Sequence, residues 1–253
     1  MSSSDASSSS PGSPPLVSVV VPVCNEEGAV ASLSGEIAAA FDGAGLPYEM
    51  IFVDDASRDS TRARLTELRA VHPALRIIAH PQNAGQSRAV RSGAKAARAG
   101  IVLTMDGDGQ NDPADGPALV RALMAGPPTL GMVGGRRTRR QDSAAKRYAS
   151  SLANGVRKRL LADGADDTGC GIKAMRRDAL LDLPYFDHMH RYLPALMLRD
   201  GWEVRFHDVG HRARTTGASK YGNLDRLRAS VSDLAGVLWL RTRARSPGVP
   251  VEL

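Results

Sequence analysis

Cysteine is almost missing from this chain. Cys24 and Cys170 are the only two in 253 residues, too few for a disulfide framework or a cysteine-based zinc site, and a reducing cytoplasm is the expected compartment. Aromatic residues are scarce as well, at 4%; with few rings for base stacking and no zinc or RNA-binding signature, nucleic acid is not the expected partner. No apolar run reaches transmembrane length. Residues 1–15 are rich in Ser and Pro without an apolar h-region, so they read as a disordered tail rather than a signal peptide. Neither GxxxxGK[ST] nor a GxGxxG after the first apolar run occurs, which leaves a P-loop NTPase and an NAD-binding Rossmann domain unsupported.

What is present is a basic chain of net charge +6 with its excess concentrated. Between Arg136 and Arg159 nine basic residues face one acid, Asp142, a block suited to phosphates or an anionic membrane surface. The length allows one large α/β domain with a well-buried core, expected over 16–223. Residues 16–23, LVSVVVPV, form a near-continuous apolar run, as a buried parallel strand reads. A helix with Val30, Leu33, Ile37 and Phe41 on one face follows. A second strand at 48–53 ends at Asp54 and Asp55, and Leu65, Leu68 and Val71 stripe the next helix. A third strand is expected at 75–79. Asn83 and Gly85 then open a helix whose Ala89, Val90, Gly93 and Ala97 are small enough for close packing on a sheet. Strand-helix alternation of this kind predicts an α/β fold with a mostly parallel sheet and helices on both faces.

The organising stretch is 101–113, IVLTMDGDGQNDP. Its strand, 101–105, delivers Asp106 and Asp108 to a carboxyl edge, where alternate extended residues can share one hard divalent cation. A calcium loop does not fit, because its Gly position holds Asn111 and its final Glu position holds Pro117; a plain Asp-Gly turn remains open. Asn25 and Glu26 follow the first strand, so three polar strand ends should crowd one rim. A nucleotide accounts for acids there, through ribose hydroxyls, base N–H groups and a metal.

VPVCNEE, VDDASRDST, NAGQSRAV, DGDGQNDP and GGRR, followed by DTGCGIKAMRR, MHRYLPAL and HRARTTGASKYG, resemble family 2 glycosyltransferases of the GT-A fold over about residues 17–240. The closest likeness is to the polyprenyl-phosphate glycosyltransferases, the dolichol-phosphate mannose synthase type and its undecaprenyl-phosphate relatives. The resemblance implies that Pro22, Glu26, Asp54 and Asp55, with Asp106, line a nucleotide pocket, and that Asp106, Asp108 and Gln110 bind Mg²⁺ or Mn²⁺. It implies that Arg214 and Lys220 reach the donor diphosphate and that Arg136 and Arg147 meet the lipid phosphate. Asp167 matches an aspartate near the acceptor, in a motif that departs from the commoner DTGDF form at Cys170 and Gly171; Cys170 itself reads as a buried structural thiol. The catalytic set is then Asp108, Asp167, Arg214 and Lys220. A metal, Arg and Lys would stabilise the charge of a departing nucleoside diphosphate, and the Gly-containing basic loop at 211–222 could close over it.

The remaining segments are a loop and helix at 182–198 containing His188, His190 and Arg191, an edge strand with Trp202, Val204 and Phe206 alternating, and an amphipathic helix at 224–244 before a tail, 245–253. The two histidines, two apart, would not share a helix face, so zinc is not expected. The C-terminal helix either lies on the membrane, with Trp239 at headgroup level, or packs its apolar face on the domain. The resulting expectation is metal-dependent inverting transfer from a nucleotide-sugar to a polyprenyl phosphate at the cytoplasmic membrane face. A saccharide or protein acceptor, or a non-catalytic nucleotide-sugar-binding protein, are the alternatives. The donor sugar is not legible.

Overall fold

In the computed structural model the described residues are 14–137, 159–165, 167, 169–210, 212 and 223–245, with side chains left aside for 223–230. Seven strands, β1 (Val17–Val23), β2 (Tyr48–Asp54), β3 (Leu75–Ala79), β4 (Ile101–Thr104), β5 (Leu130–Arg137), β6 (Lys173–Arg176) and β7 (Glu203–Val209), form one sheet. Their order is β3-β2-β1-β4-β6-β5-β7. The chain steps outward from β1 to β3 and then returns to place β4 on the other side of β1. That reversal is a topological switch point, the crevice where open α/β sheets bind ligands. β6 alone is antiparallel, pairing Lys173 with Thr104 on one side and with Gly134 on the other. Its first residue therefore lies at the same rim as the carboxyl ends of the parallel strands.

Helices α1 (Val30–Ala44), α2 (Thr61–Leu68), α3 (Gln86–Ala96), α4 (Gly116–Met124), α5 (Arg177–Asp182), α6 (Leu193–Arg199) and α7 (Asn223–Arg243) complete the chain order. Successive strand residues alternate between two cores. Val17, Val19 and Val21 of β1, with Met50 and Phe52 of β2, pack with Leu33, Ile37 and Phe41 of α1 and Leu119 and Leu123 of α4. Val20, Ile51 and Val53 face the other way, onto Ala89, Val90 and Ala94 of α3 and Leu193 and Leu196 of α6. At the edge remote from the switch point, the buried Glu49 carboxylate is satisfied by the Ser18 hydroxyl at 2.7 Å, the Arg98 amide at 2.7 Å and Arg76 at 2.5 Å. Burial alone would raise its pKa; those donors outweigh burial and hold it below the usual carboxylate range.

Two expectations need correction. The α2 stripe stops at Leu68 and Val71 is 70% exposed, because Pro73 disfavours helical backbone in the residue before it. His190 and Arg191 lie in a short 3₁₀ turn, Met189–Arg191, preceded by His188 at φ 63°; the helix begins only at Leu193, with Pro194 in its first turn, where a missing N–H costs nothing. The edge strand appears as expected, as does the C-terminal helix, whose Val237 is fully buried and whose Leu234 and Leu238 pack against the α3 side core. Val231 and Trp239 stay exposed. Among the described residues no helix is long and apolar enough to cross a membrane.

Close packing of α3 depends on Gly93, where an added Cβ would meet Val20 Cγ1 at 2.4 Å and Val53 Cγ2 at 3.2 Å. Gly93→Ala should therefore destabilise: overpacking costs about 1–3 kcal/mol and outweighs the gain of up to about 1 kcal/mol in helix propensity. Gly35 of α1 has nothing within 4 Å of the same position, so Gly35→Ala should stabilise by up to about 1 kcal/mol. Urea unfolding of both variants checks the opposite signs.

Candidate active site

The rim begins with a turn that presses β4 against β1. At Gly107 a Cβ would stand 2.7 Å from the Pro22 carbonyl oxygen and 2.6 Å from Val23 Cγ1, so the chain after β4 rests directly on the end of β1. Asn111, buried, accepts from the Asp106 amide at 3.0 Å, and Asp108 accepts from the Gln110 amide at 3.1 Å. This local wiring shapes the turn that carries Asp106, Asp108 and Gln110 next to Pro22.

Asp106 is held from several sides. Its Oδ1 accepts from Gln86 Nε2, at the start of α3, at 2.7 Å. Its other face lies on Gly171, where an added Cβ would stand 2.2 Å from Oδ2. Gly171 in turn accepts from the Thr104 hydroxyl at 2.9 Å. Burial pushes the Asp106 carboxyl up, and the Asp108 charge adds to that, while Lys173, Gln86 and Arg137 oppose it. Lys173 is 6% exposed and donates to the Cys170 carbonyl; burial pulls its pKa down against the attraction of Cys170, Asp106 and Asp167. Cys170 is buried as expected, and burial pushes its thiol up.

The other strand-end acids are turned toward the protein. Asp54 is fully buried and accepts from the Ser57 amide at 3.0 Å and Arg62 Nε at 2.6 Å. Asp55 accepts from His80 Nδ1 at 2.7 Å, the Ala84 amide at 2.9 Å and the Gly85 amide at 2.8 Å, which sets the turn entering α3. Gly85 there has φ 85°, a conformation that costs a side chain dearly. Glu26 sits in the adjoining turn, its amide donating to Thr61 Oγ1 at 2.9 Å. Asp167 forms a two-pronged pair with Arg137, at 2.5 and 2.7 Å, so its carboxylate is committed to that guanidinium. Arg136, half-exposed at the end of β5, pairs with Asp208 at 2.7 Å. Arg147, Arg214 and Lys220 lie outside the described residues. Arg212 brings the chain back to this rim: its amide donates to the Gln110 carbonyl at 3.0 Å and its guanidinium meets Asp112 at 2.8 Å.

Between these elements lies a cavity of about 190 Å³, lined by Pro22, Gln86, Asp106, Lys173, His190 and Arg191 among others. His190 Nδ1 is 2.8 Å from Ser87 Oγ. Burial, then the positive charges of Arg191, Lys173 and His188, push the His190 pKa down to about 3. Gln86, Lys173, Arg137, His190 and Arg191 lie within motifs that the sequence singled out, yet the sequence assigned none of them a role at this rim. Their meeting depends on β6 running antiparallel beside β4.

Among the described residues no three His, Cys, Asp or Glu side chains gather around one point. Asp106 and Asp108 with the Gln110 side-chain amide oxygen would supply hard, oxygen-only donors, the kind that suits Mg²⁺ or Mn²⁺ completed by phosphate oxygens and water. A half-buried carboxylate at Asp106 fits the same ion.

The site lies where nucleotide-binding α/β enzymes place theirs, and comparison with known proteins gives it a family. Residues 18–183 match the model of Glycosyl transferase family 2, and the chain belongs to that family. It is 35% identical over 209 residues to the undecaprenyl-phosphate 4-deoxy-4-formamido-L-arabinose transferase of Shewanella sediminis, covering 82% of this chain and 62% of that protein. It therefore spans about three fifths of that relative. It is 34% identical over 235 residues to the dodecaprenyl-phosphate galacturonate synthase of Rhizobium johnstonii, covering 92% of this chain and 69% of that one. The glucosyl-3-phosphoglycerate synthase of Mycobacterium tuberculosis, solved with Mn²⁺, UDP and glucosyl-3-phosphoglycerate, shares the GT-A fold, with a TM-score of 0.66 at 23% identity over 94% of this chain and 83% of that one.

Two outcomes follow from this geometry. Gly171→Ala should displace the Asp106 carboxylate and lower transferase activity about 100-fold, the scale of a misplacement of about 1 Å, with a far-ultraviolet circular dichroism spectrum like that of the parent. His190 is neutral in the folded chain and titrates near its ordinary value of 6.5 when unfolded. Folding therefore releases a proton at low pH, and stability should fall from about pH 6.5 downward toward about pH 3. His190→Asn removes that contribution, so denaturant unfolding between pH 7.5 and 5 should show a smaller loss in the variant than in the parent.

Proposed function

We propose that this chain transfers a sugar from a nucleoside diphosphate-sugar to the phosphate of a polyprenyl lipid, with inversion, at the cytoplasmic face of the membrane. The observation that carries this reading is the placement of Asp106, Asp108 and Gln110 at the switch point of a family 2 chain, beside a rim that also holds Arg136 and Lys173. The relatives support the acceptor: both are named for a polyprenyl phosphate. The Mn²⁺ and UDP in the mycobacterial enzyme support the donor class and the ion.

Pro22 and the Asp54 turn would hold the nucleoside, with the Asp55 clamp fixing the approach of α3. Asp106, Asp108 and Gln110 would hold Mg²⁺ or Mn²⁺, which when bound neutralises negative charge on the leaving diphosphate. An acceptor phosphate oxygen, already anionic near neutral pH, attacks the anomeric carbon as the bond from that carbon to the diphosphate oxygen breaks. No proton has to be removed, so the residues need to orient more than to deprotonate. Asp167 fits that role through Arg137, which it locks in place next to Arg136. Arg214 and Lys220 would add positive charge at the diphosphate; Arg214 lies two residues beyond Arg212, whose amide is bonded to Gln110. Arg147 would join Arg136 at the lipid phosphate. α7 would rest at the membrane surface by its exposed Val231 and Trp239, with anionic lipid meeting Arg241 and Arg243.

The test is direct. The chain is incubated with each of a panel of UDP- and GDP-sugars and a short polyprenyl phosphate, and the lipid product is read by mass spectrometry. One donor should give a glycosyl polyprenyl phosphate with inverted anomeric configuration. Chelation with EDTA should abolish the product and added Mg²⁺ or Mn²⁺ should restore it, and Asp108→Ala should lose several kcal/mol of transition-state stabilisation, about 100-fold or more in rate. Full turnover in chelator contradicts the metal assignment, and product only on saccharide or protein acceptors contradicts the lipid acceptor.

A further inference from the structure

Arg191 is presented to the cavity in a way that a solvated surface arginine is not. Its 3₁₀ turn is fastened to α3 by Ser87, whose hydroxyl meets His190 Nδ1 at 2.8 Å and the His190 amide at 3.2 Å. It is fastened to α7 by His188, whose Nδ1 lies 3.1 Å from Asp233. The Arg191 amide is itself bonded to the His188 carbonyl at 3.0 Å. Arg191 is half-buried and lines the cavity, and its side chain has no hydrogen-bond or ion-pair partner among the described residues. Neighbouring half-buried arginines differ: Arg91 caps the Leu181 and Leu183 carbonyls, and Arg177 caps those of Ala94 and Lys95. An arginine on a fastened turn, partly buried and without a partner among the described residues, is unusual in a folded protein.

The rest of the lining explains what would satisfy it. Lys173 is the second cation of the wall and Asp106 its acid, while His190 carries no charge. Val90, Met105 and Leu193 supply apolar wall, which lowers the local dielectric and strengthens any charge pairing there. Once a divalent cation engages Asp106, the two bases face the cavity without an opposing acid on its lining. We propose that this cavity is an oxyanion subsite, in which Arg191 with Lys173 behind it binds an anionic oxygen group of a substrate. Two groups have that chemistry: the phosphate of the lipid acceptor and a carboxylate on the donor sugar. The planar guanidinium can grip either with two parallel hydrogen bonds. The inference rests on the transfer reading for the identity of the substrates, but not for the presence of the subsite.

The experiment compares the parent chain with Arg191→Gln and Arg191→Lys, all with Mg²⁺ present. Binding is measured first, without turnover, by titrating each protein separately with a short polyprenyl phosphate and with glucuronate. Steady-state kinetics follow, with donor and acceptor varied independently and uronate donors matched against their neutral hexose counterparts. If the phosphate is the group bound, Arg191→Gln should weaken polyprenyl phosphate binding and raise its KM tenfold or more, leaving the donor KM alone, with Arg191→Lys recovering part of the loss. If a sugar carboxylate is bound, Arg191→Gln should abolish glucuronate binding and any preference for uronate over hexose donors, with the acceptor KM unchanged. A loss of kcat or of thermal stability without change in either binding constant would make Arg191 merely structural and overturn the proposal. A parent chain that binds one of these anions through Arg191 but transfers no sugar would refute the transferase reading and leave the subsite standing.

Discussion

The half-buried carboxylate of Asp106 is the constraint on which the rest of this rim depends. It is placed by β4 and gripped by Gln86 from α3, and it lies on the bare Cα of Gly171. Three separate elements therefore have to reach one point for it to sit where it does. A partly desolvated negative charge needs compensation, and Lys173, itself buried, supplies the largest opposing positive charge. The pair Arg137 and Asp167 balances itself alongside. The site is thus an assembly of fixed charges in a low-dielectric setting, where small displacements change electrostatic energies far more than they would in water.

The acids of the rim divide by what they touch. Asp54 and Asp55 accept hydrogen bonds from backbone amides and from Arg62 and His80, and so they act as braces that shape the turns after β2 and before α3. Asp106 lines the cavity, and Asp108 follows it in the same turn. This division places rigid backbone under the groups that would meet a ligand, the arrangement that preorganised sites require. Glu49 at the far edge is a brace of the same kind, fully satisfied and remote from the crevice. Polar burial in this chain therefore does not by itself mark function.

Much of this was legible beforehand. The runs at 16–23 and 48–53 declared buried parallel strands, because a strand covered on both faces has no polar side to alternate with. Gly93 and its small neighbours declared a helix lying close on the sheet. Asp106 and Asp108 were readable because their positions follow from one local strand. Gly171 and Lys173 were not readable in the same way: their nearness to Asp106 depends on a four-residue antiparallel strand, pairing residues 69 to 75 apart, and no local period reports such a pairing. His190 and Arg191 were assigned to a helix because their neighbours Leu193, Leu196 and Met197 carry a helical pattern; Pro194 starts that helix later. For the acids of the β2 end the sequence showed the turn but not the bracing, since a carboxylate in a turn looks the same in sequence whether it braces the backbone, lines a nucleotide pocket or does both.

The central claim is that Asp106, held by Gln86 and Gly171, organises a divalent cation and a nucleoside diphosphate at the switch point between β1 and β4. Electron paramagnetic resonance of Mn²⁺ titrated into the chain, with and without UDP or GDP, tests it most directly. The account predicts that one nucleotide tightens Mn²⁺ binding to a single site, and that Asp106→Asn and Gly171→Ala both weaken this coupled binding at least tenfold. Coupled binding of Mn²⁺ and nucleotide that is unchanged in both variants would contradict it.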